Sequence, residues 1–211
     1  FMDKSQVAMA GHWDKANNYV KGIEDYLPTE QYRRPAHQNK VVEDILDNWI
    51  QYSQNNKFHG MFATSSIAEA IEYYRLFKKL KPELKITALF DPNIDNNENA
   101  KFKEDGLVEI ISDYNNRYGM EFSLATHAKM KRDIADRLAH KELYKRVELT
   151  PEKQLDLLIV VDQMLTGFDS KWVNTLYLDK MLEYANLIQA FSRTNRLFGK
   201  DKPFGVVRYY R

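Results

Sequence analysis

Apolar residues fall into two kinds of run along this chain. Val41, Val42, Ile45, Leu46, Trp49 and Ile50 recur at helical spacing, which predicts an amphipathic helix over 37–55. Phe58 to Ala63 is instead a short, mostly apolar run and predicts a strand. Thr64-Ser65-Ser66 reads as a turn, and Ser66 with Glu69 has the spacing of a capping box. A helix over 68–80 follows, ended by Pro82. Lys85 to Phe90 is a second strand, stopped at Asp91-Pro92. Residues 58–90 therefore predict one βαβ unit with parallel strands and a right-handed crossover.

The alternation continues. Residues 91–105 are polar and acidic and predict a loop, and helices are expected over 104–119 and 122–146. Leu155 to Val161 is the most apolar run, as expected of a central strand buried on both faces. Val173 to Leu178 predicts another strand. Tyr184 to Arg196 predicts a helix with Ile188 and Phe191 turned to the core, and Pro203 to Tyr210 a last strand. Residues 1–35, punctuated by Gly11, Gly22, Pro28 and Pro35, predict a lead-in or interdomain segment with short helical pieces at most. The expected fold class is α/β: one domain over 36–211, three layers deep, with a mostly parallel central sheet of five or six strands.

Composition narrows the chemistry. A chain of 211 residues with 44% hydrophobic and 29% charged residues carries enough bulk for a core, which excludes global disorder. It contains no cysteine, so disulfides, cysteine zinc sites and thiol catalysis are excluded, and a cytoplasmic setting is expected. No apolar run approaches a membrane span. No signal peptide is visible, and a start at Phe1 suggests a piece of a longer chain. The net charge of +1 excludes a uniformly basic coat but not local patches. Residues 122–146 carry Lys129, Lys131, Arg132, Arg137, Lys141, Lys145 and Arg146 against Asp133, Asp136 and Glu142. That run reads as a solvated helix face, with nucleic-acid contact as the other reading. The five histidines show no metal spacing, and Asp91 to Glu98 lacks the turn glycine of a calcium loop, so no metal site is expected. Trp49 and Trp172 are expected to pack rather than stack on bases. No phosphate loop of the form GxxxxGK[ST] is present.

Ligands of open parallel sheets bind beyond the carboxyl ends of the strands. Here those ends carry Thr64-Ser65-Ser66, Asp91, the stretch 162–169 and Asp179-Lys180. On the helix at 184–196, Gln189, Arg193 and Arg196 fall within roughly 60° of one another. Two forked cations on one edge suit a polyphosphate, since each guanidinium binds phosphate oxygens in pairs. The same arginines equally suit surface salt bridges with acids such as Asp169 or Glu183.

Read together, these segments resemble a known family. Gly167-Phe168-Asp169 after a buried strand looks like motif V of superfamily 2 helicases and translocases. Gln189-x-x-x-Arg193-x-x-Arg196 looks like motif VI, with Ser192 in place of its glycine. The wording of 165–169 (LTGFD), 174–180 (NTLYLDK), 187–196 (LIQAFSRTNR) and 202–207 (KPFGVV) closely resembles the restriction (R) subunit of type I restriction-modification enzymes. Phe62 to Ser66, followed by a helix bearing Tyr73 and Tyr74, is similar to that family's motif IV. The resemblance covers about residues 36–211.

It implies the second RecA-like domain of an ATP-dependent DNA translocase and endonuclease. ATP would be shared with a first motor domain that holds the phosphate loop and most of the Mg²⁺ ligands. Arg193 and Arg196 would act as arginine fingers, with Gln189 orienting them. Gly167 and Asp169 would approach the nucleotide, while Thr64, Ser65, Ser66 and Thr166 would contact DNA. The partners implied are duplex DNA, methyltransferase and specificity subunits, and upstream motor and nuclease domains of the same chain, with no membrane. Thr166 stands where many helicases have Arg, and Val161 where many have Thr, so a DNA contact at Val161 is not implied. Two other readings stay open: the C-terminal domain of another superfamily 2 DNA or RNA helicase, and a non-enzymatic α/β interaction module.

Overall fold

The computed structural model describes residues 11–26, 29–91, 100–161, 164, 168–181, 188, 192, 194 and 196–211. The chain divides into two compact units, residues 1–39 and 40–211.

The first unit contains an antiparallel pair, β1 (His12–Trp13) and β2 (Tyr19–Val20). Asp14 makes the turn between them: its Oδ1 accepts from the backbone N–H groups of Ala16 and Asn18, both at 2.8 Å. Trp13 and Tyr19 meet edge to face across the pair. Single 3₁₀ turns follow at Ile23–Tyr26 and Thr29–Arg33. The lead-in thus holds a strand pair as well as the helical pieces expected of it. The aspartate turn is what spacing alone did not reveal.

Next along the chain come α1 (Pro35–Tyr52), β3 (His59–Thr64), α2 (Ile67–Leu80) and β4 (Ile86–Leu89). They are followed by α3 (Ala100–Tyr118), α4 (His127–Ala139), β5 (Leu157–Val160), β6 (Val173–Asp179) and β7 (Val206–Tyr209). The strands form one five-stranded sheet in the order β4-β5-β3-β6-β7, and every pairing is parallel. The α/β class and the parallel βαβ unit are therefore as expected. All residues of β3, β4, β5 and β6 are buried. The unbroken aliphatic run of β5 follows from burial on both faces, whereas β3 and β6 also bury His59, Asn174, Thr175 and Asp179.

Helices cover both faces. Gly60 in β3 lies under α1, where a Cβ would meet Trp49 at 3.1 Å and Leu157 at 3.0 Å. The Phe62 ring meets Tyr73 and Phe77 of α2. His59 reaches the other layer, where its ring meets His140 at the end of α4. The layer of α2 extends to α3 through Gly106, whose missing side chain lets Ile71 approach. Arg75 pairs with Glu109, and Tyr74 donates to Asp113 at 2.7 Å. At the opposite edge Arg208 donates to both oxygens of Asp44 at 2.7 and 2.9 Å, and Tyr210 adds a third bond at 2.8 Å. These bonds fasten β7 to α1.

Three boundaries differ from expectation. α3 begins at Ala100, inside the segment expected to be a loop, because Phe102 docks against Arg75 and the core. Asp91 through Glu98 falls mostly outside the described residues. The expected helix at 122–146 is only α4, 127–139. Ser123 and Thr126 cap each other reciprocally before it. His140 ends it in the left-handed conformation at φ 50°, and short 3₁₀ turns follow. The expected helix at 184–196 lies mostly outside the described residues. Ile188, expected to face the core, is 71% exposed.

Candidate functional site

The carboxyl ends of β3 and β6 meet the start of α2. Ser66 is the N-cap of α2, and its Oγ accepts from Glu69 N–H at 3.2 Å. The Glu69 carboxylate accepts from the backbone N–H of Ser65 at 3.3 Å, one residue earlier than a capping box would have it. The Ser65 hydroxyl donates to the Asp179 carbonyl at 3.3 Å. Ser65 is exposed and Ser66 half-buried. Thr64 by contrast is fully buried, its hydroxyl oxygen 3.3 and 3.4 Å from the carbonyls of Ser66 and Val160. It shapes the turn from within.

Beneath this turn lies a buried polar cluster. Tyr73 donates to Asp179 Oδ2 at 2.6 Å. Arg211 spans both acids, with Nε 2.8 Å from Asp179 Oδ1 and Nη2 2.7 Å from Glu69 Oε2. Burial pushes the Glu69 carboxyl up; Arg211 opposes that shift and Asp179 adds to it. Burial also raises the Tyr73 hydroxyl, assisted by Asp179. A guanidinium between two carboxylates is what makes this burial tolerable, because each unpaired charge would cost several kcal/mol. Asp179 was legible as a strand end, Glu69 as a capping residue and Tyr73 as part of the motif IV resemblance, but Arg211 gave no signal. Arg211 lies 142 residues from Glu69 in sequence, and Tyr73 lies 106 from Asp179.

The second location lies by the amino ends of the strands, on the layer of α4. Asp169, expected beyond a carboxyl end, sits instead just before β6, because the chain has crossed back to start that strand at Val173. Arg196 Nε pairs with Asp169 Oδ1 at 2.8 Å, and both side chains are largely exposed. That is the salt bridge anticipated as one reading of this arginine. The pair lines a cleft of about 570 Å³ together with Ala139, Lys141, Ser170 and Lys171. Ser170 fixes its floor: its hydroxyl donates to the Leu138 carbonyl at 2.7 Å and accepts from Trp172 N–H at 3.0 Å. Trp172 is stacked on His140 at 3.8 Å between centroids, with Phe198 on another side at 4.6 Å, so it packs as expected. Lys202 is fully buried, its ammonium 2.6 Å from the Val173 carbonyl and 3.3 Å from that of Lys171. Burial pushes that lysine down to about 8. Gly205 lies against Thr194, where a Cβ would come within 2.4 Å of the Thr194 carbonyl oxygen.

Of the expected site residues, the structure brings Asp169 and Arg196 together, and separately Ser65 and Ser66. Gln189, Arg193, Gly167 and Thr166 lie outside the described residues. Among the described residues no cluster of His, Asp or Glu could hold a metal ion. Among them too, no helix is long and apolar enough to cross a membrane.

Residues 56–211 match the family model described as type I restriction enzyme subunit R domain 3. The type I restriction enzyme SauCOLORF180P endonuclease subunit of Staphylococcus aureus (strain COL) is 39% identical over 179 residues. That alignment covers 81% of this chain and 18% of that protein. The HindI endonuclease subunit of Haemophilus influenzae is 38% identical over 164 residues, 76% of this chain and 13% of that one. The chain therefore spans less than a fifth of the length of these relatives. Among solved structures, the Mss116p DEAD-box helicase domain 2 bound to an RNA duplex is similar at 12% identity. Its TM-score is 0.45, over 82% of this chain and 50% of that chain. With a family model matched across most of its length and relatives near 40% identity, this chain belongs to the type I restriction enzyme R subunit family, as part of its domain 3.

Proposed function

We propose that the chain is the second RecA-like motor lobe of a type I restriction translocase, supplying one wall of an ATP site completed by a first motor domain. The observation that carries this reading is the cleft at Asp169 and Arg196 in a member of the R subunit family. The cleft offers Arg196, Lys141 and Lys171 with a single carboxylate, a donor set that fits a nucleotide's phosphates and ribose hydroxyls. The sequence has no phosphate loop, so these residues fit one side of such a site only. Bound ATP with Mg²⁺ would supply the free energy of phosphoryl transfer. Arg196, beside Asp169, and Arg193 would place positive charge where negative charge develops. Gln189, Gly167 and Thr166 keep the roles the resemblance implies. At the opposite end of the sheet, Ser65 and Ser66 at the start of α2 would hold a phosphate of duplex DNA. The setting we propose is cytoplasmic, in a complex with methyltransferase and specificity subunits.

DNA-stimulated ATP hydrolysis by a full-length R subunit carrying this domain tests the reading. Arg193→Ala and Arg196→Ala should each lower turnover by about 10³ or more. Arg196 is exposed, so its removal leaves the melting temperature near wild type. Turnover within a few-fold of wild type in both variants refutes the arginine-finger assignment.

A further inference from the structure

The basic run around α4 is more one-sided in the structure than in the sequence. Asp133 is turned inward, where it accepts hydrogen bonds from Tyr114 and Tyr144, each at 2.5 Å, and from Arg137 at 2.9 Å. Arg137 is itself 2% exposed, held between the rings of Tyr118 and Tyr144 and donating to the Lys153 carbonyl. One acid and one cation of the run are thus spent on the core. Left outside are Lys129, Lys131, Arg132, Lys141, Lys145 and Arg146, all exposed, against Asp136 and Glu142. Arg132 reaches Asp136 only at 3.9 Å. Among the described residues, no ion pair engages the other five cations.

A solvated helix face of ordinary design intersperses its signs, as α2 and α3 do through Arg75, Lys78, Glu109 and Asp113. This face does not. From Lys129 to Ala139 alone the helix rises about 15 Å. That length of duplex axis carries roughly nine phosphate charges. A single nucleotide is too short to meet cations spread over such a distance, whereas a nucleic-acid backbone meets them in series. Lys141, on the lip of the 570 Å³ cleft, joins the face to Lys171 and Arg196.

We propose that the outer face of α4 and the turns after it, residues 129–146, is a contact surface for the phosphate backbone of duplex DNA. It is separate from the Ser65–Ser66 turn. It rests on the motor reading in that the duplex is the track of the same machine.

The test is the salt dependence of binding to a labelled duplex by a full-length R subunit carrying this domain. The wild type is compared with the fourfold variant Lys129→Gln, Arg132→Gln, Lys145→Gln and Arg146→Gln. The control neutralises Lys40 and Lys79, exposed cations on the α1 and α2 layer. Each lost phosphate contact should flatten the slope of log affinity against log salt by about 0.9. The α4 variant should therefore bind less tightly at low salt with a visibly shallower slope, while the control keeps the wild-type slope. A wild-type slope in the α4 variant, or an equal loss in the control, overturns the surface and leaves the motor reading standing. A wild-type subunit that neither binds duplex nor hydrolyses ATP in its presence overturns both. Unchanged melting temperatures show that the substituted chains are folded.

Discussion

Acid should destabilise this fold through a pair of histidines. His59 and His140 are 1% and 7% exposed. His59 Nδ1 lies 2.5 Å from the Leu155 carbonyl, which only accepts, so Nδ1 carries the proton. Its Nε2 is then bare and accepts from His140 Nε2–H at 2.8 Å. His140 Nδ1 is left as a bare acceptor with no hydrogen-bond partner among the described residues, 3.5 Å from the Glu148 carboxylate. Both rings are neutral. Burial pushes His59 down to about 3, helped by His140, and burial pushes His140 to about 4 against the pull of Glu148. The unfolded chain protonates both near 6.5. Between the two limits the unfolded state binds more protons, so stability is full above about 6.5 and falls as the pH drops. Each histidine contributes up to about 1.4 kcal/mol per pH unit, roughly 2.7 for the pair. From pH 6.5 to 5 the pair loses about 3 kcal/mol, because at pH 6.5 the slope is only half its limit. Against a total of about 5–15 kcal/mol, the loss is large. Urea unfolding of the 211-residue chain across this range measures it. The double variant His59→Asn with His140→Gln should be less stable at neutral pH but markedly flatter with pH. Equal pH slopes in wild type and double variant would refute the neutral-pair assignment.

Two further substitutions probe the packing. Arg137→Met should cost about 3–5 kcal/mol, since it strands the Asp133 carboxylate among tyrosines; a melting temperature within a degree or two of wild type would count against a paired role. Gly106→Ala places a methyl 2.5 Å from Ile71 Cδ1. Its overpacking of about 1–3 kcal/mol should exceed the gain of about 1 kcal/mol from helix propensity, so denaturant unfolding that shows a net stabilisation would refute the close α2–α3 approach.

The central strand β5 was legible because burial on both faces forces an unbroken aliphatic run, Leu157 to Val160. The break after α4 was not. Lys141, Glu142, Leu143 and Lys145 are good helix formers, and His140 is held in its left-handed turn by rings at His59 and Trp172, 81 and 32 residues away in the chain. Composition cannot report such a contact. The start of α3 was hidden for the same reason, its first turns being anchored by Phe102 on Arg75. At the site, the ion pair of Asp169 with Arg196 was legible from local motifs. The cluster beneath Ser65 was not, because Glu69 looks like an ordinary capping residue until Arg211 and Asp179 are folded against it.

The contact at Gly205 has a mechanical consequence. Thr194 is two residues from Arg196, and its carbonyl oxygen leaves no room for even a methyl group at Gly205. Gly205 leads directly into β7, and Arg208 on that strand is clamped by both oxygens of Asp44. A push of the Thr194 backbone toward Gly205 is therefore passed by hard contact to the edge of the sheet. From there it enters α1 through a two-pronged ionic clamp. Thr194 thus bears on a stiff beam, and a displacement at its carbonyl is felt on the α1 side of the sheet edge.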